Sequence, residues 1–380
     1  MNFPPFALEK WQNKYSKEAK YNLADTCADP LTLKQLLSLG DTTLDEQLSL
    51  LLEQKLDYGE IQGLSLLRRL IAEQYSSLTE DQIIMMNGAA SANALAIISL
   101  VEPGDRVVAF HPSYQQLYAL PHSLQAEVRF VPLRPENHFQ PDLEELRSAA
   151  APGTKLILLN NPNNPTGTLL SGVVLDDIVS IARSCGAYIL CDEIGMRLRP
   201  GTVTERIPSI ADLYERGIAT SSMSKVLSLA GLRIGWIASA DQNIIHTCMK
   251  LRDYTTVSSS VLTDRIGAIA MAKQDIILGK NRELLRNNLA LLKEWSDAEE
   301  AYTFVPPQGG TAALLQLHAA GQSESFCKQL LQETGVLLVP GSTFGLEGYA
   351  RIGCAGKTDT LKQGLAAMSK FVRHRPRYYK

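Results

Sequence analysis

A lysine in the second half of the chain is followed at short spacing by groups suited to a phosphate. Lys225 ends a Ser-x-Ser-Lys string that begins at Ser222, and a Gly-x-Arg string that ends at Arg233 follows it closely. A lysine amine can form a Schiff base with an aldehyde, and hydroxyl and guanidinium groups donate hydrogen bonds to a phosphate. The spacing therefore predicts a site for a cofactor that carries both groups, as pyridoxal 5'-phosphate (PLP) does.

Further polar segments directly follow apolar runs that are typical of buried strands. Ala89 and Ala90 would let the backbone amides at the start of a helix approach a phosphate. The loop 160–167 is dense in asparagine and proline, and its amides could donate to a phenolate oxygen and a substrate carboxylate. Asp192 ends another run, where a buried carboxylate needs a partner such as a protonated pyridine nitrogen. Tyr114 could provide a stacking surface, although a lone aromatic residue is also typical of a core.

Short apolar runs alternate with amphipathic segments over residues 36–265. This alternation predicts a large α/β domain built on a doubly wound, mostly parallel sheet. Residues 266–380 predict a smaller α+β domain, which an N-terminal arm of residues 1–35 joins. Ligands bind at the carboxyl ends of the strands in such sheets, so the polar segments should converge there. The predicted strands are 83–86, 106–110, 155–159, 187–191, 218–221 and 234–239, and the predicted crossover helices are 91–100, 113–120, 143–149 and 173–184.

The composition argues against several classes of function. The 380 residues include 37 basic and 40 acidic side chains, and the net charge of −3 predicts no binding to nucleic acid or to an anionic membrane. No uncharged apolar stretch is long enough to span a bilayer, and the first residues do not resemble a signal peptide. The six cysteines lack the spacing of a metal site, so we expect no bound metal. We also expect their thiols to be reduced and the protein to be cytoplasmic.

Taken together, these segments resemble the fold-type-I PLP enzymes of the class I/II aminotransferase family. The Asn-Pro-Thr-Gly motif at 164–167, the Asp-Glu motif at 192–193 and the string from Ser222 to Arg233 occur in the order and at the spacing of that family. The resemblance covers nearly the whole chain. It implies the fold of a PLP transferase, PLP as cofactor and an amino acid as the small-molecule substrate.

The resemblance also implies roles for the residues around the cofactor ring. Lys225 would bind the cofactor covalently and would shuttle protons at the substrate Cα. Asp192 would pair with the pyridinium nitrogen, and Asn164 would contact O3′ of the ring and the substrate. Tyr114 would stack on the ring.

The remaining matched residues would hold the phosphate and the substrate. Ser222, Arg233 and the amides of Ala89 and Ala90 match the phosphate site of the family. Arg351 matches the arginine that grips the substrate α-carboxylate, for which the planar guanidinium is well shaped.

Tyr58 has a different implied role. In Tyr-Gly-x-x-x-Gly it matches the tyrosine that reaches the cofactor phosphate of the neighbouring subunit. The resemblance therefore implies a homodimer with shared active sites.

One position departs from the family pattern. Asp-Glu-x-Tyr is usual, and the tyrosine donates a second hydrogen bond to O3′, but this chain has Gly195 in that place. The loss of that donor should change the electronics of the ring and open space beside it. The alternative is harmless drift, with another hydroxyl group in its place.

The reaction is less closely defined than the cofactor, because many PLP reactions begin with a carbanion at Cα. Gly195 and the patterns at 21–33 and 253–256 resemble a bacterial subgroup of guanidino-amino-acid cyclases, which includes capreomycidine synthase and enduracididine-forming enzymes. This resemblance implies dehydrative cyclisation of a hydroxylated L-arginine. Asp25, in the N-terminal arm, could bind the guanidinium, or could be an ordinary capping residue. An aminotransferase and a non-catalytic PLP-binding protein are the alternatives, and the presence of Lys225 argues against the latter.

Overall fold

A computed structural model describes residues 2–200, 207–318 and 322–373 of the chain. Its strands are β1 (Tyr21–Asn22), β2 (Ile83–Met86), β3 (Arg106–His111), β4 (Glu127–Pro132), β5 (Thr154–Asn160), β6 (Tyr188–Asp192), β7 (Gly217–Ser222), β8 (Gly235–Ser239), β9 (Tyr302–Val305), β10 (Ala312–Leu317), β11 (Val336–Leu337), β12 (Val339–Pro340) and β13 (Tyr349–Gly353).

Its α-helices are α1 (Ala7–Tyr15), α2 (Leu33–Leu37), α3 (Leu44–Leu52), α4 (Ser65–Ala72), α5 (Ala89–Leu100), α6 (Gln116–Ser123), α7 (Leu143–Ala149), α8 (Gly172–Cys185), α9 (Ile210–Leu213), α10 (Gln242–Arg252), α11 (Val261–Ala272), α12 (Gln274–Asp297), α13 (Ser323–Thr334) and α14 (Thr358–Arg373). Among the residues that the structure describes, no helix is both long enough and apolar enough to cross a bilayer.

A seven-stranded sheet in the order β2-β8-β7-β6-β5-β3-β4 forms the centre of the fold. Strand β8 runs antiparallel to both its neighbours, and the other neighbouring pairs are parallel. Successive side chains enter opposite cores: Ile157 and Ile189 lie in one apolar cluster, and Leu156 and Leu190 lie in the other. Strands covered on both faces read as continuous apolar runs, which is why the sequence predicts them well. The predicted α/β fold with a mostly parallel sheet is confirmed.

One strand was missing from the sequence prediction. Strand β4 was not predicted, because it carries polar residues such as Glu127 and Arg129 instead of an apolar run and its side chains are mostly exposed or half-buried. On the C-terminal side of the large sheet, the two helices α11 and α12 follow each other with Lys273 at the break.

A second, four-stranded sheet has the order β12-β13-β10-β9, and all its pairs are antiparallel. The N-terminal arm joins this part of the molecule, because β1 pairs in parallel with β11 in the register Tyr21 to Val336. Domain limits at 35/36 and 265/266 remain predictions.

Candidate active site

A cavity of about 310 Å³ lies at the carboxyl ends of the central strands. Asn160, Asp192 and Ser222 are the last residues of β5, β6 and β7, and Asn160 lies beside Asp192 in the sheet. All but two of the predicted site residues line this cavity: Ala89, Ala90, Tyr114, Asn164, Asp192, Ser222, Lys225, Arg233 and Arg351. Their roles stay predictions, but the parallel sheet brings together residues that are far apart along the chain.

Asp192 is almost completely buried, at 4% exposure, and is held by neutral donors. Its carboxylate accepts hydrogen bonds from Asn93 Nδ2 at 2.8 Å and from the Ile194 amide at 3.2 Å. Burial raises the pKa of Asp192, although these hydrogen bonds and Lys225 oppose the rise. No cation in the described part of the chain is in hydrogen-bonding contact with this buried carboxylate, which suits it to a protonated ring nitrogen as its partner.

Asn93 is a site residue that the sequence analysis did not identify. It lies on α5, is fully buried, and also accepts a hydrogen bond from Thr220 Oγ1 on β7. The carboxamide of Asn93 thus orients Asp192 from the neighbouring helix. A polar residue in a helix otherwise rich in Ala, Leu and Ile was the signal that could have revealed it.

The start of α5 forms a cradle with Arg233. The N-cap residue Gly88 has a φ of 85° and provides no side-chain cap, so the first amides of the helix remain available. A Cβ atom at Gly88 would lie 2.4 Å from Arg233 Nη2. The left-handed backbone of Arg233, with a φ of 54°, turns its guanidinium back so that Nη1 lies 3.4 Å from Ser224 Oγ. Amide, hydroxyl and guanidinium donors therefore converge as a phosphate requires.

Lys225 contacts a cysteine that the sequence analysis had not linked to the site. Lys225 Nζ lies 3.4 Å from Cys27 Sγ, and both residues line the cavity. The amide of Ala28 donates to the Lys225 carbonyl at 3.0 Å, so the N-terminal arm is tied directly to the lysine. Burial raises the pKa of the Cys27 thiol, whereas the nearby lysine lowers it.

Arg351 is buried at 2% exposure and retains an unused donor. Nη1 donates to Asn164 Oδ1 at 3.0 Å and Nη2 donates to the Ala24 carbonyl at 2.9 Å, whereas Nε has no hydrogen-bond partner among the described residues. Burial lowers the pKa of Arg351 to about 10. A buried guanidinium with neutral partners and an orphan N–H is suited to an anionic ligand, such as the carboxylate of an amino acid.

The asparagines of the loop 160–167 mostly hold its shape. Asn160 Oδ1 accepts from the Asn164 amide at 2.8 Å, and Asn160 Nδ2 donates to the Asp192 carbonyl at 3.0 Å. Asn163 Nδ2 donates to the Pro112 carbonyl at 3.1 Å. Asn164 differs from these, because its carboxamide oxygen contacts Arg351.

Gly195 lines the cavity beside Gly309 and Gly310. A Cβ atom at Gly195 would lie only 3.1 Å from Gly310 Cα and 3.5 Å from Pro162 Cδ. The glycine therefore lets the loop before β10 approach closely. A tyrosine at this position would require that loop to move.

Asp25 and Tyr58 are the two predicted residues that do not line the cavity. Asp25 is exposed, and its carboxylate accepts a hydrogen bond from the Cys27 amide at 2.9 Å, so the expectation that it faces the substrate is not met in this conformation. Tyr58 is 73% exposed. Its contribution to a partner subunit remains a prediction.

The chain belongs to the family of class I and II aminotransferases, whose model matches residues 33–368. It is 30% identical to capreomycidine synthase of Streptomyces vinaceus, over 97% of this chain and 93% of that protein. A PLP-dependent aminotransferase from Streptococcus suis 89-1591 superposes with a TM-score of 0.94 at 39% identity, covering 98% of this chain and 99% of that one. The PLP-dependent cyclase OrfR superposes with a TM-score of 0.90 at 28% identity, covering 99% and 98% of the two chains.

The protein is thus a PLP-dependent enzyme of the aminotransferase family, and its cavity fits the cofactor. Asp192 offers a buried carboxylate for the ring nitrogen, and the cradle of α5 and Arg233 offers donors for the phosphate. Tyr114 borders the same cavity, with its ring 5.2 Å from that of Phe6.

Proposed function

We propose that this enzyme converts a hydroxylated L-arginine into a cyclic guanidino amino acid by loss of water. The observation that carries the proposal is Gly195, which replaces a hydrogen-bonding tyrosine of the family and forms a wall without side chains together with Gly309 and Gly310. Cyclisation requires the substrate chain to fold back beside Cα, and bulky side chains there would oppose it. The similarity to capreomycidine synthase and to the cyclase OrfR supports the same reaction.

Each group of the cavity has a task in this reaction. Bound PLP supplies an electron sink that stabilises a carbanion at Cα. Lys225 would hold the cofactor and take the proton from Cα, and Asp192 would keep the ring nitrogen protonated. Arg351 and Asn164 would fix the α-carboxylate, while Ala89, Ala90, Ser222 and Arg233 would hold the phosphate.

The bond changes that follow are those of an elimination and an addition. A hydroxyl group leaves Cβ of the substrate with its electron pair, takes up one proton and is lost as water; departure from Cγ requires in addition that Cβ loses a proton and regains it after the addition. A guanidine nitrogen then forms a bond to the alkene carbon and gives up a proton, which balances the proton taken up by the leaving hydroxyl group. Lys225 would return a proton to Cα, so that the product is the substrate less one water and keeps its α-amino nitrogen. Water must be kept away until that step is complete.

Amino-group transfer is the second candidate function. The Streptococcus suis relative, at 39% identity, is described as an aminotransferase, and the same Lys225, Asp192 and Arg351 would serve that reaction. A PLP-binding protein without catalysis is a third candidate, which the placement of Lys225 in the cavity disfavours.

Labelling of the α-nitrogen separates these functions. The enzyme is incubated with β- or γ-hydroxy-L-arginine that carries ¹⁵N at the α-position, with and without a 2-oxo acid. We expect a product that is lighter by one water, retains the label and does not require the oxo acid. Transfer of the label to the oxo acid at the rate of substrate loss would show an aminotransferase instead, and no conversion of either hydroxyarginine would reject the cyclase function.

A further inference from the structure

Helix α1 brings two polar side chains into the cavity. Glu9 and Gln12, one helical turn apart, both line it. The buried face of α1 fixes their position, because Trp11 is 5% exposed and donates from Nε1 to the Leu338 carbonyl at 2.8 Å. The Ala7 amide also donates to Gln115 Oε1 at 2.8 Å, so the start of the helix is held next to the loop that carries Tyr114.

The two carboxylates that line the cavity have different surroundings. Asp192 is buried and accepts hydrogen bonds from Asn93 and the Ile194 amide. Glu9 is half-buried, and no hydrogen bond or ion pair within the described ranges engages it. Burial lowers the pKa of Arg351, and the negative charges of Asp25 and, after it, Glu9 oppose that change. Burial raises the pKa of Tyr114, and the charge of Glu9 adds to that rise. Glu9 is therefore a carboxylate that is available to a cationic ligand.

Gln12 and Arg351 meet at one backbone carbonyl. Gln12 Nε2 donates to the Ala24 oxygen at 3.4 Å, and Arg351 Nη2 donates to the same oxygen at 2.9 Å. The amide oxygen of Gln12 is left to accept from a ligand, while the orphan Nε of Arg351 is left to donate to one. An acceptor for a cation thus lies close to a donor for a carboxylate.

We propose that Glu9 and Gln12 bind the guanidinium of the substrate and determine specificity for arginine derivatives. This proposal rests on the cyclase function above. A guanidinium carries five N–H donors in one plane, which a carboxylate and an amide oxygen can share. Because Arg351 would hold the α-carboxylate beside the same Ala24 carbonyl, both ends of the substrate are held near each other. The side chain is then folded back towards Cα, as cyclisation requires.

This assignment replaces the expected partner of the guanidinium. Asp25 is exposed, and its carboxylate is engaged by the Cys27 amide. Glu9 belongs to the same N-terminal arm as Asp25, but it lies on helix α1 and lines the cavity.

Binding of amino acids that carry no leaving hydroxyl group tests the proposal without cyclisation. L-Arginine and its neutral isostere L-citrulline are titrated into the PLP-loaded enzyme without an oxo acid, and the absorbance change of the cofactor reports binding. We expect wild-type enzyme to bind L-arginine roughly 10- to 100-fold more tightly than L-citrulline, as for a hydrogen bond between charged groups. Glu9→Gln should reduce this ratio to about threefold or less while leaving L-citrulline binding nearly unchanged.

Glu18→Gln is the matched control, because Glu18 is exposed and does not line the cavity. It should keep the wild-type ratio. Glu9→Lys provides a second test, since reversal of the charge should make L-glutamate bind better than L-arginine. A wild-type enzyme without preference for L-arginine, or a preserved ratio in Glu9→Gln, would overturn the proposal.

Failure of the cyclase function would be seen separately. Binding of L-arginine that depends on Glu9, together with transfer of the ¹⁵N label to an oxo acid, would leave the specificity assignment in place and reject cyclisation. If the enzyme removes water from hydroxy-L-arginine but Glu9→Gln leaves the ratio of L-arginine to L-citrulline binding unchanged, the cyclase function stands and the specificity assignment is rejected.

Discussion

At the scale of single residues, the amine of Lys225 contacts a thiol. Cys27 Sγ lies 3.4 Å from Lys225 Nζ, and Asp192 is close enough for the lysine to oppose the rise in its pKa. Burial keeps the Cys27 thiol protonated by raising its pKa. The amine thus contacts a thiol and lies within electrostatic range of a carboxylate.

The first prediction concerns the covalent bond between Lys225 and the cofactor. Purified wild-type protein should absorb visible light because the lysine amine binds the PLP aldehyde. Lys225→Ala should lose that absorbance band and fall by at least about 10³-fold in activity. Lys250→Ala, at an exposed position on α10, should remain like the wild type. An unchanged spectrum in Lys225→Ala would contradict the assignment.

At the scale of elements, two consecutive acidic residues at the end of β6, Asp192 and Glu193, contact different parts of the protein. Asp192 faces the cavity, whereas Glu193 is directed to the start of α9. The Glu193 carboxylate accepts from Ser209 Oγ at 3.0 Å and from the Ile210 amide at 2.9 Å. Its role is therefore to join a strand to a helix behind the site.

This contact predicts a pH dependence of stability. Burial raises the pKa of Glu193 from 4.5 to about 8, so between these values the folded protein binds a proton that the unfolded chain does not. The stabilising contribution is complete below about 4.5 and is lost as the pH rises towards 8. The free energy of unfolding of the PLP-free protein should therefore fall by up to about 1.4 kcal/mol per pH unit from this group.

Glu193→Gln keeps an acceptor oxygen and should flatten this decline in urea unfolding at several pH values. Glu294→Gln, at an exposed position on α12, should follow the wild type. The same slope in wild type and Glu193→Gln would show that Glu193 is not the titrating group.

At the scale of the whole molecule, one surface carries many exposed apolar side chains. Leu50, Leu52 and Leu56 are 62%, 76% and 82% exposed, and Tyr58 is 73% exposed. This segment packs on α11, where a Cβ atom at Gly59 would lie 2.4 Å from Val261 Cγ1, and its leucines face away. We propose that a second copy of the chain covers this surface. Tyr58 would then reach the phosphate site of the partner.

Mixed dimers test the shared site. When Lys225→Ala and Tyr58→Phe subunits are co-expressed, one site of each heterodimer lacks both groups and the other is intact. The mixture should be more active than either parent. Lys225→Ala mixed with the double variant is the control, since no site there contains the lysine. Activity no greater than that of the Tyr58→Phe parent, with heterodimers verified by mass spectrometry, would argue against sharing.

The sequence alone was sufficient for the fold and for the cofactor. Strands such as Ile83–Met86 are apolar throughout because the sheet is covered on both faces, and this pattern is local. The residues predicted to hold PLP also lie in short motifs, so their spacing along the chain reveals them. Strand Glu127–Pro132 escaped prediction, because most of its side chains are exposed or half-buried and it has no continuous apolar run.

The tertiary structure decided which other side chains line or support the cavity. Glu9, Cys27 and Asn93 lie in no recognisable motif, and only the docking of α1 and the N-terminal arm onto the central sheet brings the first two to the cavity. Asp25 and Cys27 are two residues apart, yet one is exposed and the other contacts Lys225. Side-chain direction in an irregular segment has no fixed period, so only long-range packing determines which of its residues faces the cavity.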